Sequence, residues 1–459
     1  MRQDSCKLLI LGAGPGGYVC GIRAGQLGVD TIVVEAAKPG GTCLNVGCIP
    51  SKALIHAADE FHAVRSLVGG NALGISASAP SIDLSRTMAW KDGIVRRLTG
   101  GVSGLLKKAG TRYVQGYARV LDGKSVEVTT PEGPLRIDAE NIVIATGARP
   151  FELPFLPFGG PVISSTEALA LPELPKRLSV VGAGYIGLEI GTAMAKLGVR
   201  VTLVEAAKSI LPQYDAELSK PVLARLQALD VGLHLDAKAQ GLTEDGTALR
   251  VETLGGPQEI PSDKILVTVG RAPVTTGFGL EDLGLSMTGP YIAVDRFCAT
   301  SMRGVFAIGD VTGEPMLAHR AMAQGVVVAE HLAGLPTLWD KRAIPAVCFT
   351  DPEIVTVGAL PGAQEGLAVT TFPLAGNGRS MTLGRSDGFV RIVHDPDSGL
   401  IAGIQAVGAG IAEMAGEFSL AIEMGATLTD IAATIHAHPT LGETTQEAAL
   451  KGLGQALHI

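Results

Sequence analysis

What this chain of 459 residues lacks narrows its work before any motif is read. No apolar stretch reaches the roughly 18 residues that a membrane helix needs, so no transmembrane span is expected. The chain runs from Met1 to Lys7 straight into Leu8-Leu9-Ile10-Leu11. That run is too short for a secretory signal and has no small-residue cleavage site after it, so the sequence reads as cytoplasmic. Basic residues are not in excess: 37 Lys and Arg stand against 45 Asp and Glu, a net charge of −8. They are also scattered, which argues against a nucleic-acid partner, because phosphate binding needs clustered cations. Cysteine is scarce, with six residues, and only Cys43 and Cys48 lie close together. No second Cys or Cys-His pair follows them, so a four-ligand zinc site is not expected and no metal is assigned.

What is present in quantity is glycine, 60 residues, on a background that is 46% apolar and 18% charged. Such a chain can bury large cores, and its length suggests about three domains. Much of the glycine belongs to a duplication. Residues 8–38 read LLILGAGPGGYVCGIRAGQLGVDTIVVEAAK and residues 178–208 read LSVVGAGYIGLEIGTAMAKLGVRVTLVEAAK. Each copy is an apolar strand, a G-x-G-x-x-G turn, a helical stretch and a second strand ending in Val-Glu. In this unit the first glycine makes the strand-to-helix turn, the second admits a pyrophosphate, and the third lets the helix pack on the strand. The phosphates sit on the helix N-terminus, and the closing acid accepts from ribose hydroxyls. Gly12, Gly14, Gly17 and Glu35 form one such set; Gly182, Gly184, Gly187 and Glu205 form the other. Two sets imply two dinucleotides. Glu205 favours NAD over NADP, because a carboxylate repels a 2′-phosphate.

Around the repeat, residues 113–144 alternate as a β-meander would, and Pro150 to Pro161 reads as a linker. A further strand is expected at 305–308, followed by Gly309-Asp310. Helical patterns close the chain at 410–424 and 443–456. The pair Cys43 and Cys48 stands in GTCLNVGCIPSK. Pro50 marks a helix start, which puts Cys48 at or just before a helix N-terminus, where the dipole favours thiolate. Beside a dinucleotide fingerprint, a redox disulfide is the preferred reading over two buried cysteines or half a metal site. Near the C-terminus, His438 and Glu443 admit two readings. Thr440 and Glu443 fit a capping box at the start of the last helix. Alternatively, a dithiol that must become thiolate needs a base titrating near neutrality, and a histidine oriented by a carboxylate supplies one.

The segment GGTCLNVGCIPSKALI, with ATGARP, GAGYIGLE, VTVGRAP, FAIGD, MLAHRAMAQG, FTDPEIVTVG and HAHPTLGE, resembles the dihydrolipoamide dehydrogenases of the pyridine nucleotide–disulfide oxidoreductase family over nearly the whole chain. ILPQYD, AHRAMAQG and the terminal ALHI look most like the form serving bacterial branched-chain 2-oxo acid dehydrogenase complexes.

The resemblance implies an α/β fold with two Rossmann-like domains: an FAD-binding domain at 1–149 and an NAD-binding domain at 150–274. A central domain at 275–344 would complete the FAD site, and an α+β dimerisation domain would span 345–459. It makes Cys43 the interchange thiol and Cys48 the flavin-facing one. Lys52 would lie near the flavin and pair with Glu189. Thr146, Gly147, Asp310 and Ala318 would join Lys52 in the FAD site. Gly270 would join the NAD site, and Tyr185 would gate the nicotinamide. His438 would be the base and Glu443 its orienting acid, supplied by the other subunit of a homodimer; His436 is the lesser candidate. The implied reaction oxidises dihydrolipoamide to lipoamide with NAD⁺, the lipoyl group being carried by the acyltransferase of a 2-oxo acid dehydrogenase complex. Glutathione and mercuric reductases are rivals, though the first usually has basic residues where Glu205 stands. The second carries a C-terminal cysteine pair, and no cysteine follows Cys348. A docking subunit that keeps flavin without turnover is a rival of another class.

Overall fold

Leu8, Leu9, Ile10 and Leu11 offer no polar face, and a strand apolar on both sides is stable only inside a sheet covered on both sides. The structure, a computed structural model, describes residues 2–458; Met1 and Ile459, the last residue of the ALHI terminus, lie outside the described residues. Strand Arg2–Leu11 lies inside a seven-stranded sheet, with Leu8 to Leu11 buried. Thr31–Glu35 and then Arg112–Gln115 flank it on one side and Gly133–Ile144 on the other, all parallel, with Leu8 opposite Thr31 and Leu11 opposite Ile144. Val305–Ala307 extends the sheet in parallel along the end of Gly133–Ile144. A strand distant in sequence therefore completes the first nucleotide unit.

The second unit repeats the plan. Arg177–Val181 is flanked by Arg200–Val204 and Lys264–Val267, with Gly232–His234 and Val162–Ile163 at the edges, all parallel. An antiparallel sheet of Lys238–Leu242, Ala248–Thr253 and Gly256–Pro261 shares a core with it through Leu249, Val251, Val181 and Ile265. The chain passes between the units in a two-stranded ribbon, Ala148–Pro150 against Arg271–Pro273. The C-terminal part is a five-stranded antiparallel sheet formed by Ala346–Cys348, Glu353–Gly358, Ile401–Gly408, Phe389–His394 and Ala368–Pro373. Helices Ala415–Glu423, Leu428–Ala433 and Glu443–Gly452 contribute to its core. No helix among the described residues is long and apolar enough to cross a membrane.

Three expectations shift. The meander begins at Tyr117, not at 113, because helix Leu84–Lys108 is a crossover that delivers Arg112–Gln115 parallel to Thr31–Glu35. The helix after the cysteine pair starts at Cys48, two residues before Pro50, which is tolerated in a first turn. The stretch expected as a helix from 410 opens as a 3₁₀ turn at Ile411–Met414 before Ala415–Glu423.

In both units the third fingerprint glycine lies where helix meets strand. A Cβ added at Gly17 would stand 1.9 Å from the carbonyl oxygen of Gly12, and one at Gly187 would stand 2.2 Å from that of Gly182. Backbone on both sides leaves little room to give. Gly187→Ala should therefore lower the thermal midpoint, with a loss of about 3 kcal/mol. An unchanged melting curve would show that the helix can move off its strand.

Candidate active site

The two fingerprints are built alike. Gly12 and Gly182 take φ of +105° and +100°, left-handed values that suit glycine, where each strand turns into its helix. Helices Pro15–Gln26 and Tyr185–Lys196 follow, and neither has a side-chain cap, so their first N–H groups remain available to an anion. A Cβ at Gly184 would meet nothing within 4 Å, and one at Gly14 only the Cα of Gly41 at 3.9 Å. The first and third glycines are thus required by the fold, while the middle ones border open space. The closing acids match as well. Glu35 accepts N–H bonds from Ala13 and Ala37, both at 2.8 Å; Glu205 accepts from Ala183 at 2.6 Å and Ala207 at 2.8 Å. Both carboxylates are held at the ends of their strands, as a ribose partner requires.

A cavity of about 1020 Å³ runs from the first fingerprint to the cysteine pair. Gly12, Gly14 and Glu35 line one end, Cys43, Cys48 and Lys52 the other, with Thr146, Gly147, Asp310 and Ala318 between. Gly17 is the one expected FAD residue outside the lining, consistent with its packing role. Tyr185 and Glu189, from the helix of the second fingerprint, form part of the wall. Gly182, Gly184, Gly187, Glu205 and Gly270 do not line it; the second nucleotide unit reaches the cavity through that helix, through Ser165 and Leu169, and through Arg271. The long, partly apolar shape, open middle glycine and acid at one end fit an FAD molecule. Burial pushes the Asp310 carboxyl up, partly offset by Arg271 and Arg320.

The two thiols are free and share a hydrogen bond. That bond and burial raise the Cys43 thiol well above its ordinary value. The same bond lowers Cys48 to about 7, against the opposing effect of burial and with help from Lys52. Cys48 is exposed in the sense that it faces the cavity; on its other sides it is surrounded by protein. Of the pair, Cys48 is therefore the thiol that ionises first. The donating thiol leads in this, more than the helix terminus that the sequence suggested.

Lys52 is one helical turn beyond Cys48, and its Nζ lies 2.7 Å from Glu189 Oε2. Glu189 is 3% exposed. It also accepts from Ser51 Oγ at 3.3 Å and, through Oε1, from the Phe349 N–H at 3.0 Å. The Phe349 ring lies 4.4 Å from Lys52 Nζ. Ser51, Phe349 and Arg271 were given no role by sequence reasoning. Phe349 and Arg271 lay inside quoted motifs, but nothing in the pattern showed that they face the site.

His438 Nδ1 is 2.8 Å from Glu443 Oε1, and Glu443 Oε2 accepts from the Thr440 N–H at 2.8 Å. The capping box is only half formed: Thr440 Oγ1 donates to the Ala437 carbonyl, and the helix N-cap is Gly442. Burial raises the Glu443 carboxyl, and the Thr440 N–H and His438 outweigh it, leaving it below the usual carboxylate range. His438 leaves Nε2 free, on a side chain 81% exposed. His436 differs: its ring bonds Glu417 at one nitrogen and the Thr434 carbonyl at the other. Neither His438 nor Glu443 lines the cavity that holds the cysteines of their own chain.

A family described as pyridine nucleotide-disulphide oxidoreductase matches residues 6–325, and its dimerisation domain matches 344–449. A dihydrolipoyl dehydrogenase of Pseudomonas aeruginosa is 58% identical, covering 99% of this chain and 98% of that protein. One of Haloferax volcanii is 45% identical, covering 98% and 97%. Among solved structures, LpdA from Mycobacterium tuberculosis has a TM-score of 0.89 at 27% identity and covers 98% and 99%.

Two outcomes follow from the geometry. Gly184→Ala should melt like the parent yet bind NAD⁺ at least about tenfold more weakly in calorimetry, because its methyl occupies the open cradle. In the reduced protein, alkylation of Cys48 by iodoacetamide should show a midpoint near pH 7, and Lys52→Met should move that midpoint upward by about one unit. An unmoved midpoint would remove Lys52 from the electrostatics of the pair.

Proposed function

The chain belongs to the dihydrolipoyl dehydrogenases of the pyridine nucleotide-disulphide oxidoreductase family, and we propose how its residues divide the oxidation of a lipoyl dithiol by NAD⁺. The observation that carries the proposal is the pair of free thiols at one end of a cavity whose other end is a dinucleotide fingerprint. Bound FAD and NAD supply, in series, a two-electron acceptor and a hydride acceptor. Gly12, Gly14, Glu35, Lys52, Thr146, Gly147, Asp310 and Ala318 hold the first, with Gly17 keeping the turn closed. Gly182, Gly184, Gly187, Glu205 and Gly270 hold the second, and Tyr185 stands between them. In domain terms this assigns 1–149 and 275–344 to FAD, 150–274 to NAD and 345–459 to the dimer interface.

The thiol chemistry balances on protein residues. With Cys43 and Cys48 joined as a disulfide, His438 of the partner subunit takes a proton from one substrate thiol. The thiolate attacks Cys43 and forms a mixed disulfide, and Cys48 leaves as thiolate. The second substrate thiol loses its proton and attacks the substrate sulfur of that bond, closing the lipoyl disulfide and releasing Cys43. Cys43 takes up a proton and Cys48 keeps its charge. This is the distribution favoured by the hydrogen bond between them, by burial of Cys43 and by Lys52 beside Cys48. Glu443 fixes the histidine tautomer and favours the imidazolium.

His438 must come from a second copy because its own chain keeps it off the cavity wall. The homodimer is supported by the match to the dimerisation domain. The lipoyl group is carried by the acyltransferase of a 2-oxo acid dehydrogenase complex, with the branched-chain type favoured by ILPQYD and AHRAMAQG. A cystine that must return to dithiol fits the reducing cytoplasm.

The direct test compares turnover of dihydrolipoamide, glutathione and mercuric ion with NAD(H) and NADP(H). Dihydrolipoamide with NAD⁺ should dominate, and Cys48→Ser should lower that rate by at least about a thousandfold. A near-parental rate in that variant refutes the mechanism. Mixing equal amounts of Cys43→Ser and His438→Gln subunits should restore about a quarter of parental activity, because half the dimers then carry one intact shared site. No restoration would place the histidine and the thiols in one chain.

A further inference from the structure

The helices Cys48–Ser66 and Tyr185–Lys196 pack on each other and are joined by two charged rungs. The first is Lys52 with Glu189. The second joins Asp59 to Lys196, with the signs exchanged. Seven residues separate the members on each helix, about two turns, so both rungs lie on the same pair of facing stripes. A segment of the dimerisation domain runs past both. Phe349 serves the first rung through its N–H on Glu189 and its ring beside Lys52. Asp351 serves the second, lying 2.6 Å from Lys196. Between them Thr350 is buried, its hydroxyl bonded to the Pro352 carbonyl at 2.7 Å, so the segment has little freedom.

Asp351 is held unusually firmly. Its carboxylate also meets Arg225 at 2.8 Å and Arg385 at 2.6 Å. Its side chain is 10% exposed and that of Lys196 6%. The local charges are Asp59, Asp351, Asp387 and Glu353 against Lys196, Arg225, Arg385 and Arg65. His62 stands among them, pushed toward its neutral form by burial and then by Arg225 and Lys196. Burial alone would raise the Asp351 carboxyl, yet Lys196, Arg385 and Arg225 hold it well below the usual carboxylate range. Removing one partner of such a buried set leaves uncompensated charge, so the set holds its geometry firmly.

We propose that Asp351 and Lys196 are positioning residues that fix the Lys52–Glu189 pair beside the Cys48 sulfur, so that residues 349–351 of the dimerisation domain set the electrostatics of their own subunit's redox site. The link is mechanical: Asp351 anchors the segment, the segment places the Phe349 N–H and ring, and these place Glu189 and Lys52. Cys48 faces Cys43 and Lys52, with Glu189 behind Lys52 and Tyr185 nearby. The proposal deepens the redox reading and rests on it. Turnover of Cys48→Ser tests that reading by itself.

The experiment uses flavin-loaded dimer carrying Cys43→Ser, so that Cys48 is the only redox thiol. Iodoacetamide labelling of Cys48 is followed by peptide mass from about pH 5 to about pH 10. Asp351→Asn should raise the labelling midpoint by about half a unit, about a twofold loss of thiolate at the parental midpoint. Asp59→Asn, whose carboxylate is half exposed, should raise it by a smaller amount. Asp351→Glu should return it to the parental value. In a Lys52→Met background, neither Asn variant should move it further. A lowered melting temperature with an unmoved midpoint in both Asn variants would reduce the set to scaffolding and overturn the proposal. A shift that persists without Lys52 would overturn it equally. If Asp351→Asn does not fold, Asp59→Asn decides alone.

Discussion

A carboxylate at 3% exposure is tolerable only if each of its oxygens is occupied, and at Glu189 both are. One oxygen takes Lys52 and Ser51 from the helix that begins with Cys48; the other takes the Phe349 N–H from the C-terminal domain. Glu189 itself lies on the helix that opens the second nucleotide unit. One ionised group thus brings together the redox helix, the second nucleotide unit and the dimerisation domain, and the remaining site geometry is measured from it. Lys52 cannot leave without stranding a buried charge, so its ammonium stays near the Cys48 sulfur. The Cys43 thiol supplies the other half by donating to that sulfur. The thiolate therefore rests on a hydrogen bond from one side and a tethered cation from the other.

The duplicated fingerprint has two outcomes although its local geometry is nearly the same. In the first unit, distant segments close over the turn: Val305–Ala307 extends the sheet, and the stretch carrying Asp310 and Ala318 forms a wall. In the second, the turn stays outside that cavity, and the unit contributes the helix face that bears Tyr185 and Glu189, with Ser165, Leu169 and Arg271 beside it. The asymmetry arises from what is inserted after each repeat, while the repeats themselves stay alike. One fingerprint therefore opens into the cavity and the other lies outside it.

Much of this was legible in the residues. Gly12 and Gly182 turn the strands and the third glycines admit the helices as their spacing implies, and the two acids close their strands, because a tight turn and a close helix-strand crossing are local demands. The cysteine pair was legible for the same reason. Arg112–Gln115 was misread as part of a meander because its pairing is decided by a crossover helix with no strand signature of its own. Ser51, Phe349 and Asp351 escaped because their roles depend on three segments meeting, and nothing in FTDPE announces which carboxylate that backbone will meet. Thr440 and Glu443 looked like a capping box; the structure keeps the backbone half and turns Glu443 toward His438, a choice that a four-residue pattern does not contain.

The two histidines of the same loop show how exposure becomes part of the functional argument. His436 is half-buried, and both its ring nitrogens are committed within its own chain. Such a ring has no free nitrogen for a thiol proton. His438 is pinned at Nδ1 by Glu443 and otherwise lies open, with no partner for Nε2 among the described residues. For a structural residue that arrangement has no purpose, since a carboxylate fixing an imidazole in free water contributes little to stability. It would acquire one in the proposed shared site: a second copy over the loop would make the surroundings less polar, strengthen the Glu443 contact and give the fixed tautomer's free nitrogen a partner. The cavity containing Cys43 lacks a base of its own in this loop. A site short of a base and a base short of a site, on one chain, are complementary under twofold symmetry.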